Sequence, residues 1–165
     1  MATFIMEVGL PGSGKTYFAK IVEESEKNLW HLSSDEIRKD LWGDANCQKN
    51  PKQVFKMMNE ITLAALKVGI DIIYDATNLE AKYRKQILNE VKKIEGIETI
   101  CLVFNVPLDL CIRRAAERDR VVPEAVIRRM HSKIERPQYE EGWDYICTVT
   151  PKEGETNEVK QETVR

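Results

Sequence analysis

Apolar residues along this chain fall into two alternating kinds of segment. Short runs of β-branched and apolar residues, such as 3–8, are typical of buried strands. Longer segments in which apolar residues recur at every third or fourth position are typical of helices, and 52–68 is one of them. Its apolar face includes Val54, Met58 and Ala65, which predicts packing against a core.

The pattern predicts five strands, at 3–8, 29–33, 70–75, 99–106 and 145–149. It predicts six helices, at 15–26, 35–41, 52–68, 80–94, 108–119 and 123–136. Alternation of strands and helices is typical of an α/β fold, with a five-stranded parallel sheet covered by helices on both faces. The length of 165 residues predicts one domain over 1–151, and the polar segment 152–165 predicts a loosely held tail.

Composition excludes several classes of protein without indicating one activity. The net charge of −2 argues against a protein that coats nucleic acid along its whole surface, although a local basic cleft stays open. No apolar run is long enough to cross a bilayer, so no membrane partner is expected. The four cysteines form no C-x-x-C pair, and we therefore expect reduced thiols, a cytoplasmic location and no zinc site.

The first chemical motif lies directly after the first predicted strand and opens the first predicted helix. Residues 9–16 fit the phosphate-loop pattern G-x-x-x-x-G-K-[ST] at every fixed position. The glycines let backbone N–H groups approach phosphate oxygens, Lys15 brings a positive charge to the β- and γ-phosphates, and Thr16 offers a hydroxyl to Mg²⁺. The residues expected to bind ATP here are Gly9, Pro11, Gly12, Ser13, Gly14, Lys15 and Thr16.

A second motif, Ser34 to Arg38, follows the second predicted strand. Ligands of open parallel sheets bind beyond the carboxyl ends of the strands, so Asp35 and Arg38 would lie beside the γ-phosphate. Asp35 is then a candidate base that accepts the proton of an attacking hydroxyl. The alternative is a helix N-cap formed by Ser34 or Asp35, which leaves Arg38 unexplained.

A third motif follows the third predicted strand, which ends in Asp75. An acid at this place can hold Mg²⁺ through water, orient the attacking group or bind the acceptor. Asn78 and Arg84, further along, are candidates for contacts with a phosphate or a sugar of the substrate. A capped helix start at Thr77 or Asn78 is compatible with these roles.

A basic helical segment at about 110–136 predicts a lid. Residues 113–136 carry eight basic and four acidic side chains, a net charge of +4. Arginines in such a lid can clamp phosphates and neutralise charge in a transition state, which makes Arg114, Arg118 and Arg120 candidates for binding ATP. The alternative is a solvated helix surface with ion pairs between residues four positions apart.

Taken together, these motifs resemble the P-loop kinase family of phage polynucleotide 5′-kinase and the kinase domains of DNA end-repair enzymes. The resemblance rests on GLPGSGKT, SSDEIR, DATN and the segment from RRAAERDR to EEGWD, and covers roughly residues 3–150. It implies a P-loop NTPase fold, ATP and Mg²⁺ as cofactors, and transfer of the γ-phosphoryl group to a hydroxyl.

The resemblance also implies roles for single residues. Asp35 matches the general base for the 5′-hydroxyl, and Arg38 matches the residue that binds the acceptor's phosphate. Asp75 matches the acid after the third strand, and one of Arg118 and Arg120, with Arg118 favoured, matches the catalytic arginine of the lid. A structural closing motif is matched by Pro137, Glu141, Gly142 and Trp143.

Three acceptors or roles stay open at this point. The 5′-OH end of RNA or DNA is the first candidate, although the chain is acidic and shows no groove of lysines for a long nucleic acid outside the lid. A nucleoside, a sugar or another metabolite is the second. A nucleotide-dependent binding module without an acceptor is the third, and it would not need Asp35, Arg38 and the lid arginines together. No phosphatase or ligase segment follows the kinase-like motifs, so a stand-alone kinase module is expected.

Overall fold

A computed structural model of the chain describes residues 1–119, 121–151 and 157–162. The strands are β1 (Thr3–Val8), β2 (Leu29–Ser33), β3 (Asp71–Asp75), β4 (Glu98–Phe104), β5 (Tyr145–Pro151) and β6 (Asn157–Gln161). The helices are α1 (Lys15–Ser25), α2 (Ser34–Trp42), α3 (Pro51–Lys67), α4 (Ala81–Val91), α5 (Leu108–Ala116) and α6 (Glu124–His131), with a short 3₁₀ helix at Tyr139–Glu141. The alternation of strands and helices predicted from the sequence is confirmed.

The strands form one sheet in the order β2-β3-β1-β4-β5-β6. The first five in this order run parallel, and β1 lies between β3 and β4. The last residues of β2 and β3, Ser33 and Asp75, are direct partners in the register. The segments that follow β1, β2 and β3 therefore leave the sheet at the same edge, and ligands of such sheets bind at this edge.

The sixth strand corrects both the expected strand count and the expected loose tail. β6 pairs antiparallel with β5, from Cys147 opposite Gln161 to Pro151 opposite Asn157. Strand pairing joins backbone groups and needs no apolar side chain, so a polar segment can cover the exposed edge of β5. The Tyr139 hydroxyl also donates to the carbonyl oxygen of Glu162 at 2.6 Å. Residues 152–156 and 163–165 of the predicted tail lie outside the described residues.

Alternate residues of β1 point into cores on opposite faces of the sheet. Phe4 and Met6 belong to a large cluster that includes Met58 of α3 and Leu88 of α4. Ile5 packs instead against the clusters on the α1 side of the sheet. The helices therefore cover both faces, as a parallel sheet requires. Across the described ranges, no helix has the length and apolar character needed to span a membrane.

A buried ion pair joins α4 to the 3₁₀ helix near the C-terminus. Arg84 donates through Nε and Nη2 to the two carboxylate oxygens of Glu141, at 2.9 and 2.6 Å. Its Nη1 donates to the carbonyl oxygens of Asn78 and Leu79, at 3.0 and 2.9 Å. Trp143 Nε1 donates to the same carboxylate at 3.1 Å. Burial opposes the ionisation of Glu141, but these hydrogen bonds hold its pKa below the ordinary value.

This position corrects the expectation that Arg84 contacts the substrate. Its side chain is 0% exposed, and its guanidinium donors are used by Glu141 and by the backbone of the loop. The sequence motif around Asp75 could not reveal this role, because the partner carboxylate lies 57 residues further along the chain.

Removing this guanidinium should destabilise the fold strongly. We expect Arg84→Met to lower the free energy of unfolding by about 3–5 kcal/mol, because Glu141 would keep a buried charge without its partner. Urea unfolding followed by circular dichroism measures the loss. Lys85→Met, at an exposed position of the same helix, is the control and should change little. A loss below about 1 kcal/mol for Arg84→Met would contradict this account of the ion pair.

Candidate active site

The phosphate loop connects β1 to α1 and packs closely against α5. Gly12 and Gly14 adopt the left-handed conformation, with φ of 81° and 94°. A Cβ atom at Gly12 would lie 2.3 Å from the carbonyl oxygen of Cys111. The Gly9 N–H donates to the carbonyl oxygen of Thr77 at 3.1 Å, so the loop is also joined to the segment after β3. Gly12 is therefore needed for both the turn and its close packing, and Gly14 is needed for the turn.

Lys15 is buried beneath this loop. Its Nζ donates to the carbonyl oxygen of Leu10 at 2.9 Å, which spans the turn of the loop. Burial lowers the pKa of Lys15, while the carboxyl groups of Asp75 and Glu7 act in the opposite direction. The loop thus places a buried ammonium group at the end of β1, and a glycine-rich loop with a lysine at this place is typical of phosphate-binding sites in proteins.

Asp75 is the centre of a short chain of hydrogen bonds behind the loop. Its Oδ2 accepts a hydrogen bond from Thr16 Oγ1 at 2.8 Å and lies 2.8 Å from His31 Nε2. Burial opposes the ionisation of Asp75, but the hydrogen bond with His31 and the charge of Lys15 hold its pKa below the ordinary value. His31 was not among the residues that the sequence motifs indicate, because only the register of β2 with β3 brings it to Asp75.

These groups fit a magnesium ion that also binds phosphates. A hydroxyl and a carboxylate oxygen are the hard ligands that Mg²⁺ prefers, and the ion ordinarily keeps water and substrate phosphates as its other ligands. Among the described residues, no group of three or more His, Cys, Asp or Glu side chains is arranged to hold a metal by itself. Thr16 and Asp75 would therefore hold the ion only together with a bound nucleotide.

Glu7 is a second buried acid beside this chain, and the sequence motifs did not indicate it. It is 0% exposed, and neither carboxyl oxygen has a hydrogen-bond partner within the described part of the chain. Burial, together with repulsion from Asp75, raises the pKa of Glu7 to about 10. The strand pattern hides this residue, because an acid in a strand ordinarily faces water.

Asp35 and Arg38 lie on the first turns of α2, beyond the end of β2. The N-cap is Ser33, whose hydroxyl accepts a hydrogen bond from the Asp35 N–H at 3.3 Å, so the predicted caps at Ser34 or Asp35 are one or two residues too late. Arg38 Nη1 lies 3.2 Å from both Asp35 Oδ1 and Ser34 Oγ. The guanidinium also lies over the ring of Phe55 at 5.9 Å.

One cavity of about 620 Å³ is lined by seven of the fifteen predicted site residues, while Gly9, Gly12, Ser13 and Gly14 are outside its lining. Lys15, Thr16 and Asp75 line it at the phosphate loop, and Asp35 and Arg38 line it on the α2 side. Residues of α6 and of the segment before it, together with Arg118, line it on the opposite side. A ligand of the size of a small molecule fits a cavity of about this volume.

Some predicted residues lie elsewhere. Asn78 donates its side-chain amide to the carbonyl oxygens of Glu7 and Ala76, at 2.7 and 3.2 Å, so this amide joins β1 to the loop after β3 instead of lining the cavity. This corrects its expected contact with substrate. Arg114 is half-buried on α5 and outside the lining of the cavity. Arg120 lies outside the described residues.

Comparison with known proteins places this site within one family. A family model described as "AAA domain" matches residues 4–137. An L-seryl-tRNA(Sec) kinase of Methanococcus maripaludis is 27% identical over 166 residues, which cover 96% of this chain and 63% of that protein. The chain thus spans less than two thirds of the length of this curated relative.

Solved structures share the fold. A Pnkp1/Rnl/Hen1 RNA repair complex contains a chain with a TM-score of 0.69 and 24% identity; the match covers 80% of this chain and 43% of that one. A gluconokinase from Sinorhizobium meliloti 1021 has a TM-score of 0.61 and 17% identity, and the match covers 90% of this chain and 82% of that one. At these identities the likeness concerns the fold alone.

The buried acid beneath the loop should make stability depend on pH. The pKa of Glu7 is raised from 4.5 to about 10 in the folded protein. The stabilisation that this difference gives the folded state is complete below pH 4.5 and is lost as the pH rises towards 10. We expect Glu7→Gln to flatten the fall of the melting temperature between about pH 6 and pH 9, since an amide cannot ionise. At about pH 9, Glu7→Gln should melt at least about 2–4 °C above the wild type, which is the shift that about 1 kcal/mol of stability produces.

Thermal unfolding in a series of buffers measures this dependence in the protein without nucleotide. Glu24→Gln, at an exposed position of α1, is the matched control and should follow the wild type. If the melting temperatures of the wild type and Glu7→Gln changed with pH in the same way, this account of a buried, protonated Glu7 would be contradicted.

Proposed function

The chain belongs to the AAA domain family, and from this premise we propose that it is an ATP- and Mg²⁺-dependent phosphotransferase with a hydroxyl group as acceptor. The observation that carries the proposal is the shared cavity. It places the phosphate-loop residues Lys15 and Thr16 on one side and the carboxylate of Asp35 with the guanidinium of Arg38 on another. Transfer of a phosphoryl group needs both an anion-binding side and a hydroxyl-binding side within one space.

On the nucleotide side, the loop would bind the phosphates through backbone N–H groups and Lys15. The present partner of Lys15 Nζ is one carbonyl oxygen of the loop, at 2.9 Å, and phosphate oxygens would be stronger partners for a buried ammonium group. A magnesium ion held by Thr16 and Asp75 would neutralise charge on the phosphates. The hydrogen bond between His31 and Asp75 keeps that carboxylate turned towards Thr16.

On the acceptor side, Asp35 would act as the general base. The acceptor oxygen forms a bond to the γ-phosphorus, the bond between this phosphorus and the β,γ-bridging oxygen breaks, ADP leaves, and the hydroxyl proton passes to the Asp35 carboxylate. Arg38 lies 3.2 Å from Asp35 Oδ1 and orients that carboxylate. Arg118 lines the cavity from the lid and would stabilise negative charge that develops during transfer.

The 5′-hydroxyl end of a polynucleotide is the acceptor that we propose first. Arg38, Arg118 and Arg129 all line the cavity and would bind phosphates that flank such a hydroxyl. By name, the relatives include a kinase for seryl-tRNA and a component of an RNA repair complex. Both names concern RNA, and the charge of the cavity supports an anionic acceptor.

A small hydroxyl-bearing molecule is the second candidate. The cavity volume of about 620 Å³ would enclose a nucleoside or a sugar, and one structure of similar fold is a gluconokinase. A binding module without an acceptor is less well supported, because it would have no use for a carboxylate and two guanidinium groups beside the phosphate loop.

The test is transfer of label from γ-labelled ATP in the presence of Mg²⁺. The acceptors are a 5′-OH RNA oligomer, a 5′-OH DNA oligomer, a nucleoside 3′-phosphate, a seryl-tRNA and a panel of sugars and metabolites. Labelled oligonucleotide supports the first candidate. Label on one small molecule alone supports the second, and the absence of transfer to every acceptor, with ATP still bound, contradicts the proposed activity.

Loss of the proposed base should separate transfer from nucleotide binding. We expect Asp35→Ala to lower the rate of transfer by about 10²–10⁴-fold, because proton transfer in the transition state contributes about this much. Titration calorimetry should find ATP binding within about threefold of the wild type, since Asp35 lies on the acceptor side. Glu36→Gln, an exposed neighbour in the same turn, is the control. Equal loss of binding and transfer in Asp35→Ala would contradict this role.

A further inference from the structure

The acceptor side of the cavity contains an aromatic surface that phosphoryl transfer itself does not require. Phe55, on the second turn of α3, lines the cavity, is partly buried and packs against the core. The guanidinium of Arg38 lies over this ring at 5.9 Å from its centroid. The ring is therefore held from behind by the core and from one side by Arg38, and its orientation is fixed before a ligand binds.

The lid contributes apolar side chains to the cavity as well, beside Arg118 and Arg129. Val121, Val126 and Met130, in the lid and just before α6, line it. Val121 is 56% exposed, and an apolar side chain with this exposure, inside a cavity, gains stability when a ligand covers it.

The connection between α2 and α3 adds polar groups to the same space. Asn46 and Gln48 both line the cavity. A side-chain amide both donates and accepts hydrogen bonds, as the edge of a nucleobase does, and this pairing recurs where Asn or Gln reads a base.

From this arrangement we propose that Phe55, Asn46 and Gln48 form a nucleobase subsite for the acceptor. The base of the terminal nucleoside stacks on Phe55, its edge faces the two amides, and the hydroxyl lies towards Asp35. Single-stranded bases are bound in this way by aromatic side chains, with their edges hydrogen-bonded. The inference rests on the proposed phosphotransferase function and makes it more specific: the acceptor carries a base, and the enzyme distinguishes one base from another.

The first experiment compares 5′-OH trinucleotides that carry a base at the first position with the same trinucleotide abasic there. We expect the KM of the abasic acceptor to be higher by about tenfold or more, the effect of losing one stacked base. Phe55→Leu, which keeps apolar packing, should raise the KM of the base-bearing acceptors by a similar factor and leave that of the abasic acceptor nearly unchanged. Phe55→Tyr, which keeps the aromatic ring, should behave as the wild type. Equal KM values for the base-bearing and abasic acceptors would overturn the inference and leave the proposed function standing.

The amides should affect the choice of base. We expect Asn46→Ala or Gln48→Ala to change the order of preference among the four bases at the first position. The matched controls are Asn89→Ala and Gln86→Ala, at exposed positions of α4 outside the cavity lining. An unchanged order of preference in both Asn46→Ala and Gln48→Ala would overturn the part assigned to the amides.

A binding experiment without ATP separates failure of the subsite from failure of the phosphotransferase. The probe is 2-aminopurine riboside 3′-phosphate, whose fluorescence falls when the base stacks on an aromatic ring. Quenching that is lost in Phe55→Leu and kept in Phe55→Tyr supports the subsite, even if no acceptor is ever phosphorylated. Absence of quenching in the wild type, together with label on sugars alone, would overturn the subsite and the polynucleotide acceptor together.

Discussion

The burial of one ammonium group, that of Lys15, is the constraint on which the rest of the site depends. A charge in this place must be surrounded by acceptors, because an isolated ion in a protein interior is very costly. The chain supplies the carbonyl oxygen of Leu10 at 2.9 Å and the charge of the nearby Asp75 carboxylate. The hydrogen bond from Lys15 Nζ to Leu10 closes the phosphate loop around the ammonium group.

The sheet determines which other residues reach that ammonium group. Since β1, β2 and β3 run parallel and end at one edge, the chain leaves the sheet beside Lys15 three times. The segment after β1 is the phosphate loop, the segment after β2 contains Asp35 and Arg38, and the third segment follows Asp75 at the end of β3. The core cluster of Leu10, Cys111 and Ile127 then joins the loop to α5 and α6, so that the lid closes the cavity from the remaining side. The phosphate loop, the first turns of α2 and the lid are therefore brought together by one strand order.

Much of this could be predicted from the sequence, because the relevant signals are local. A strand that ends in a glycine-rich loop, and an acid directly after a strand, each identify a position at the carboxyl edge of the sheet without knowledge of distant partners. In the structure, Lys15, Thr16, Asp35, Arg38, Asp75 and Arg118 line one cavity. Their chemical roles stay predictions.

The features that could not be predicted depend on residues far apart in the chain. An arginine shortly after Asp75 is compatible with a substrate contact, so the sequence alone suggests that role for Arg84. Its structural role is seen only in its hydrogen bonds with Glu141, which lies 57 residues away. His31 becomes a partner of Asp75 only through the register of β2 with β3. The sixth strand arises because β5 offers an unpaired edge, which no pattern within 157–161 reveals. Neither backbone pairing between distant strands nor a buried ion pair produces a recognisable pattern in a short stretch of sequence.

The most direct measurement of the central claim is a crystal structure of the protein with ADP, Mg²⁺ and aluminium fluoride. The account predicts that Lys15 Nζ leaves the carbonyl oxygen of Leu10 for the phosphates, that the ion lies at Thr16 and Asp75, and that the aluminium fluoride faces Asp35 across the cavity. A nucleotide bound away from the phosphate loop, or an aluminium fluoride group that Asp35 does not face, would contradict it.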